Sequence, residues 1–128
     1  MNRIRTVFLR GRPLVCIDYS GLKEASMIAL ALQAEAAILE GGTSKFVLSN
    51  FGNCFVTPRF VRHMEAATPR INHLIERNAL IGLNKPKMMI LKGFNLLMGT
   101  DYRAFSNEAD AVAYLLATEV IPAPLGIF

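Results

Sequence analysis

The apolar positions of this chain alternate between short continuous runs and recurrences every three or four residues, the signatures of buried strands and amphipathic helices. Thr6-Val7-Phe8-Leu9 and Leu14-Val15-Cys16-Ile17-Asp18 are two such runs. Arg10-Gly11-Arg12-Pro13 between them supplies turn chemistry, so the chain is expected to open with a hairpin. An alanine-rich helix follows over about 23–39, with Ile28, Leu32 and Leu39 at helical spacing and a stop at Gly41-Gly42. Lys45-Phe46-Val47-Leu48-Ser49 is the next strand, followed by a polar, glycine-containing loop at Asn50-Phe51-Gly52-Asn53. Thr57-Pro58 then starts a helix with a hydroxyl cap and a first-turn proline. Its apolar stripe is Phe60, Val61, Met64 and Ala67, with Arg59, Arg62 and His63 off the stripe.

Thr68-Pro69-Arg70 reads as a kink or restart of that helix, after which Ile71, Leu74 and Ile75 continue the buried stripe. Residues 78–83 form a buried strand, residues 85–98 a basic apolar helix, residues 102–106 a short strand, and residues 107–117 a last helix. Asn107 is its N-cap, with Asp110 completing an imperfect capping box. Residues 119–128, with Pro122 and Pro124, read as a tail, loosely packed or used as an edge contact. Strands alternating with helices imply an α/β fold. The expected architecture is a mixed, mostly parallel sheet of about five strands covered by about four helices, with only the hairpin antiparallel. One domain over 1–118 accounts for all of it.

Composition narrows the function classes. The chain has 128 residues, enough for one self-sufficient core, and 52% are hydrophobic against 19% charged. Apolar surface is thus expected to be held for a partner or ligand. The net charge of +4 is uneven. Between residues 45 and 92, Lys45, Arg59, Arg62, Arg70, Arg77, Lys85, Lys87 and Lys92 are opposed only by Glu65 and Glu76, a net +6. Arg3, Arg5, Arg10 and Arg12 form a second cluster. Such fields attract anionic partners of several kinds, but the aromatic and basic interleaving of a nucleic-acid reader is missing. No apolar run is long enough for a secretory leader or a membrane span, and two cysteines make neither a disulfide framework nor a zinc site. The expectation is a cytoplasmic protein without metal or cofactor.

In the helix over Lys85–Met98, Ile90, Leu91, Phe94, Leu97 and Met98 share the face expected to pack on the sheet. The opposite face gathers Lys85 and Lys92 with Met88, Met89 and Leu96, an adaptable apolar surface flanked by lysines. Peripheral contact with an anionic membrane is the other use such a face allows. Cys54 lies ahead of a helix N-terminus near Arg59 and Arg62, yet His63 and His73 have no evident link to it, so it reads as structural. Asp18 reads as a turn acceptor, and the glycines fit neither a Walker nor a dinucleotide spacing.

Ile17-Asp18-Tyr19-Ser20, Asn50-Phe51-Gly52, Ala79-Leu80-Ile81-Gly82-Leu83, Gly99 and Phe105-Ser106-Asn107-Glu108-Ala109 together resemble the SpoIIAA-like, or STAS, fold family, closest to its small stand-alone bacterial branch. The resemblance implies a regulatory domain. It also implies a phosphorylatable serine in an Asp-x-Ser-Gly-type motif before the second helix. Here that stretch reads Ser49-Asn50-Phe51-Gly52-Asn53-Cys54-Phe55-Val56-Thr57, without the motif. The expectation is therefore a non-enzymatic regulatory or protein-interaction module, able to self-associate, without the phospho-serine switch. Its working surface would be Asn50, Phe51, Asn53, Cys54 and Thr57 with Lys85, Met88, Met89, Lys92 and Leu96. The alternative is a carrier or sensor of a small apolar or anionic, lipid-like ligand held between sheet and helices.

Overall fold

The opening hairpin turns on two residues, Arg10 and Gly11, both at positive φ (51° and 79°), in the computed structural model, which describes residues 2–117. Two-residue turns of this kind match the natural twist of a β-hairpin. The strands therefore extend further than the apolar runs alone indicated: β1 is Ile4–Leu9 and β2 is Arg12–Asp18. Pro13 falls inside β2, opposite Phe8. Pairing to the next strand starts only at Leu14, so no ladder bond needs the missing proline N–H.

Three crossovers follow, through α1 (Glu24–Leu39), α2 (Pro58–Ile71) and α3 (Lys85–Met98), leading to β3 (Lys45–Asn50), β4 (Ile75–Ile81) and β5 (Arg103–Phe105). The sheet runs in sequence order β1-β2-β3-β4-β5, antiparallel only between β1 and β2. Period-two alternation sorts the side chains onto two faces. Val15, Ile17, Val47 and Leu80 pack beneath α1 and α2, with Leu91 of α3 against the same cluster. Leu14, Phe46, Leu48 and Ala79 pack beneath α4 (Glu108–Leu116), through Ala111 and Leu115. Asn107 caps α4 as expected, accepting from the Asp110 N–H at 2.8 Å.

Three local expectations need correction. In α1 the buried face is Met27, Leu30, Ala31, Ala34, Glu35 and Ile38, while Leu32 and Leu39 are exposed. Small alanines let the helix lie close to the sheet and turn the bulkier leucines outward. Helix α2 neither restarts nor ends at Pro69. The proline is exposed, so the carbonyl it leaves free faces water. Bonds from the Thr68 hydroxyl to Met64 O (2.7 Å) and from the Asn72 N–H to Thr68 O hold the helix on either side of it. Strand β4 begins at Ile75 rather than Asn78, because Lys45 and Phe46 pair with Ile75 and Arg77 across a register shift. The tail expected over 119–128 lies outside the described residues.

Gly82, just after β4, sets where α3 leaves the sheet. Its φ is +81°, and a Cβ there would lie 2.5 Å from Gly52 N and 2.8 Å from Asn50 Oδ1. Gly99, the left-handed residue that ends α3, has φ +67° but open space around it. Gly82→Ala combines backbone strain with a backbone clash and is expected to cost about 2–5 kcal/mol in urea unfolding. Gly99→Ala, with strain alone, is expected to cost about 1–2 kcal/mol. Equal losses would contradict the close approach at Gly82.

Candidate functional site

The β3–α2 loop and the start of α3 meet at the carboxyl ends of the parallel strands. Asn50 Oδ1 accepts from the Gly52 N–H at 2.9 Å, an Asx turn that bends the chain away from β3. Phe51 then turns inward and stacks on Tyr19 (4.7 Å between centroids, 11° between planes), with Phe60 edge-on to both. The Phe51 carbonyl is the meeting point. Lys87, the one fully buried side chain of α3, donates to it from Nζ at 2.7 Å, and the Cys54 thiol approaches it at 3.3 Å. Asn84 caps α3 by accepting from the Lys87 N–H at 3.0 Å. The same residue thus starts the helix through its backbone and ties it to the loop through its ammonium.

These contacts account for most of the loop residues singled out from sequence. Phe51 and Cys54 are buried and do not face a partner. Burial pushes the Cys54 thiol up, with Lys87 pulling it down and Asp18 adding to the rise, so its neutral form dominates. The Thr57 hydroxyl accepts from the Phe60 N–H at 3.3 Å and donates to Glu24 Oε2, joining the α2 cap to the first turn of α1. Asp18 acts as the expected turn acceptor, taking bonds from the Ser20 N–H (3.0 Å) and hydroxyl (2.6 Å). What the loop leaves exposed is Asn53, at φ +51°, and Phe55, a residue the apolar pattern did not single out.

The outward face of α3 lies open. Met88, Met89, Leu96 and Leu97 are 44%, 75%, 80% and 68% exposed, and Phe55 is 86% exposed. Lys85 and Lys92 are exposed on the same helix. Leu97, expected on the buried face, sits outside because Asn95 takes its place. Asn95 donates to Tyr102 O (2.8 Å) and accepts from the Thr100 hydroxyl (2.8 Å) and the Tyr102 N–H (3.1 Å). Two residues along a helix is about 200°, so drawing Asn95 in turns Leu97 out. The basic excess is also less available than its count implied. Lys45 is buried against Glu40 O and Thr43 O, Lys87 against Phe51 O, Arg70 pairs with Glu35, and Arg77 bonds the carbonyls of Tyr114 and Ala117. Arg59, Arg62, Lys85 and Lys92 remain at the surface.

On its other side α3 is loosely applied. Ile90, Leu91, Phe94 and Met98 face inward but are only half-buried. Between them, α2 and the sheet lies an apolar cavity of about 100 Å³, lined among others by Ile71, Ile75, Leu80, Leu91 and Phe94. Glu35 reaches its lining from α1, held at 2.8 Å by Arg70 and at 2.9 Å by His63, both from α2. His63 therefore belongs to the α1–α2 interface. Polar residues inside an apolar lining carry no periodic signal, which is why Glu35, Lys87 and Asn78 escaped the sequence pattern.

Replacing Lys87 by Met removes a charged donor from a buried carbonyl and is expected to cost about 1.5–3 kcal/mol in chemical unfolding. In a Cys16→Ala background, Cys54 should react with a disulfide probe at pH 7.5 at least tenfold more slowly in the native protein than in urea. Native labelling as fast as unfolded would contradict the buried, neutral thiol.

No family model and no curated protein matches this chain. Among solved structures, that of an anti-sigma-factor antagonist (STAS) domain protein from Planctomyces limnophilus superposes with a TM-score of 0.62 at 16% sequence identity, over 89% of this chain and 98% of that one. The likeness is one of fold. The hairpin opening, the sequentially ordered mixed sheet and the four helices are those of a STAS-like α/β domain, as the sequence motifs had implied.

Proposed function

We propose that this domain is a non-enzymatic regulatory module that works by docking a protein partner on the outward face of α3. The observation that carries this reading is the set of large apolar side chains, Met88, Met89, Leu96 and Leu97, left open on one helix together with Lys85 and Lys92. Exposed large apolar side chains interspersed with lysines suit a protein interface, and methionines adapt to the shape laid on them. Asn53 and Phe55 are also exposed, on the β3–α2 loop that Lys87 ties to α3. The partner that fits presents an apolar patch that also carries carboxylates. The solved structure of like fold is described as an anti-sigma-factor antagonist, which supports a regulatory role.

The docking reading does not use a phosphorylation switch. Ser49 is buried, and the Thr57 hydroxyl is engaged as both donor and acceptor. Among the described residues no helix is long and apolar enough to cross a membrane, and the cytoplasm is the compartment proposed for the module.

A photo-crosslinking residue in place of Met89, expressed in the protein's own cells, is expected to trap a defined protein, while one in place of Glu108 at the start of α4 is not. Met89→Glu with Leu96→Glu should abolish the adduct formed from a crosslinker at Lys92. Because both positions are exposed, stability should change by less than about 1 kcal/mol, whereas affinity should fall at least about a hundredfold. Trapping of a second copy of this chain would make the face a self-association surface. Equal adducts from positions 89 and 108, or unaltered trapping in the double variant, would overturn the proposal.

A further inference from the structure

The cavity beneath α3 has a chemistry of its own, independent of the outward face. Its lining is overwhelmingly apolar, but Asn78 projects into it from β4, and Asn78 Oδ1 is buried without a hydrogen-bond partner among the described residues. A buried unpaired acceptor forfeits its hydration with no return, so such atoms are rare unless something satisfies them.

The two hydroxyls nearby cannot do so. The Asn78 and Thr68 side chains both approach the Tyr102 phenol. Yet the Tyr102 hydroxyl spends its hydrogen on Asn72 Oδ1 (2.8 Å), and the Thr68 hydroxyl spends its own on Met64 O (2.7 Å). Each hydroxyl has one hydrogen to give, so both are left as acceptors toward the cavity. Neither hydroxyl has a hydrogen left for Asn78 Oδ1, which stays without a donor.

We infer that the space between α2 and α3 binds a small, uncharged, largely hydrocarbon molecule carrying one O–H or N–H group, which donates to Asn78 Oδ1. Its apolar body would lie against Ile71, Ile75, Leu80, Leu91 and Phe94. The cavity, about 100 Å³, is of the order of those of about 150 Å³ that admit benzene-sized guests, which sets the size class. Entry lies between α2 and α3, where the inward residues of α3 are only half-buried. A larger guest could be taken in only by lifting α3, the helix whose other face is the proposed docking surface.

Phenol and its methyl ether anisole separate the two contributions, since they share a ring and differ in the donor. Titrated into the wild-type protein and followed by methyl NMR, phenol is expected to shift the Ile71, Ile75, Leu80 and Leu91 methyl signals. It should bind at least tenfold tighter than anisole. In Asn78→Leu that preference should vanish or reverse while anisole still binds. Anisole binding as tightly as phenol to the wild type would overturn the inference, because Asn78 would then be satisfied by water alone. So would the absence of any methyl shift at millimolar phenol. The wild-type comparison stands even if the leucine variant fails to fold.

Discussion

Helix α3 is held by polar bonds at its two ends rather than by burial along its length, and the functional character of the domain depends on that arrangement. At its start, Lys87 reaches the Phe51 carbonyl, Asn84 caps the first turn, and Gly82 brings the chain against Gly52. At its end, Asn95 grips the backbone on both sides of Tyr102, and Gly99 turns the chain out. Between these anchors the inward apolar residues are half-buried and the outward ones exposed. An ordinary crossover helix is held by its apolar face. This one keeps apolar surface available on both sides.

The remaining elements supply rigidity around it. Alanines seat α1 close to the sheet, the Glu35 carboxylate ties α1 to α2 through His63 and Arg70, and the Thr57 hydroxyl joins the two helices again at the other end. Tyr19, Phe51 and Phe60 close the core beneath the β3–α2 loop, to which the start of α3 is tied. A stiff frame with one end-anchored helix suits a module whose binding surface must adapt while its fold does not.

The sequence patterns gave the element order, the single antiparallel hairpin and the limits of α3, because buried strands and helix caps act through local chemistry. Thr57, Asn107 and Asp18 do what their residue types do at such positions. The departures came where a distant contact outweighed a local rule. Pro69 lies on the solvent side, where its missing bond costs little. Leu97 was displaced by Asn95, whose partners, Thr100 and Tyr102, lie several residues on. Lys45, Lys87, Arg70 and Arg77 look like surface charge in a list of residues and are tied to carbonyls or a carboxylate in the fold. Of the candidate site, the outward face of α3 was legible as periodicity. A ligand space between sheet and helices was an alternative expectation, but its lining residues, Asn78 among them, were not legible, since they are brought together only by the packing of α2, α3 and the sheet.

Hydrogen exchange of the free protein, resolved along the chain, tests the end-anchored helix most directly, because amide protection reports how often each segment opens. The account predicts that amides of residues 90–96 in α3 exchange at least tenfold faster than those in the middle of α1 and α2. Protection in α3 equal to that of α1 would mean that the helix is packed along its whole length, and would contradict the account.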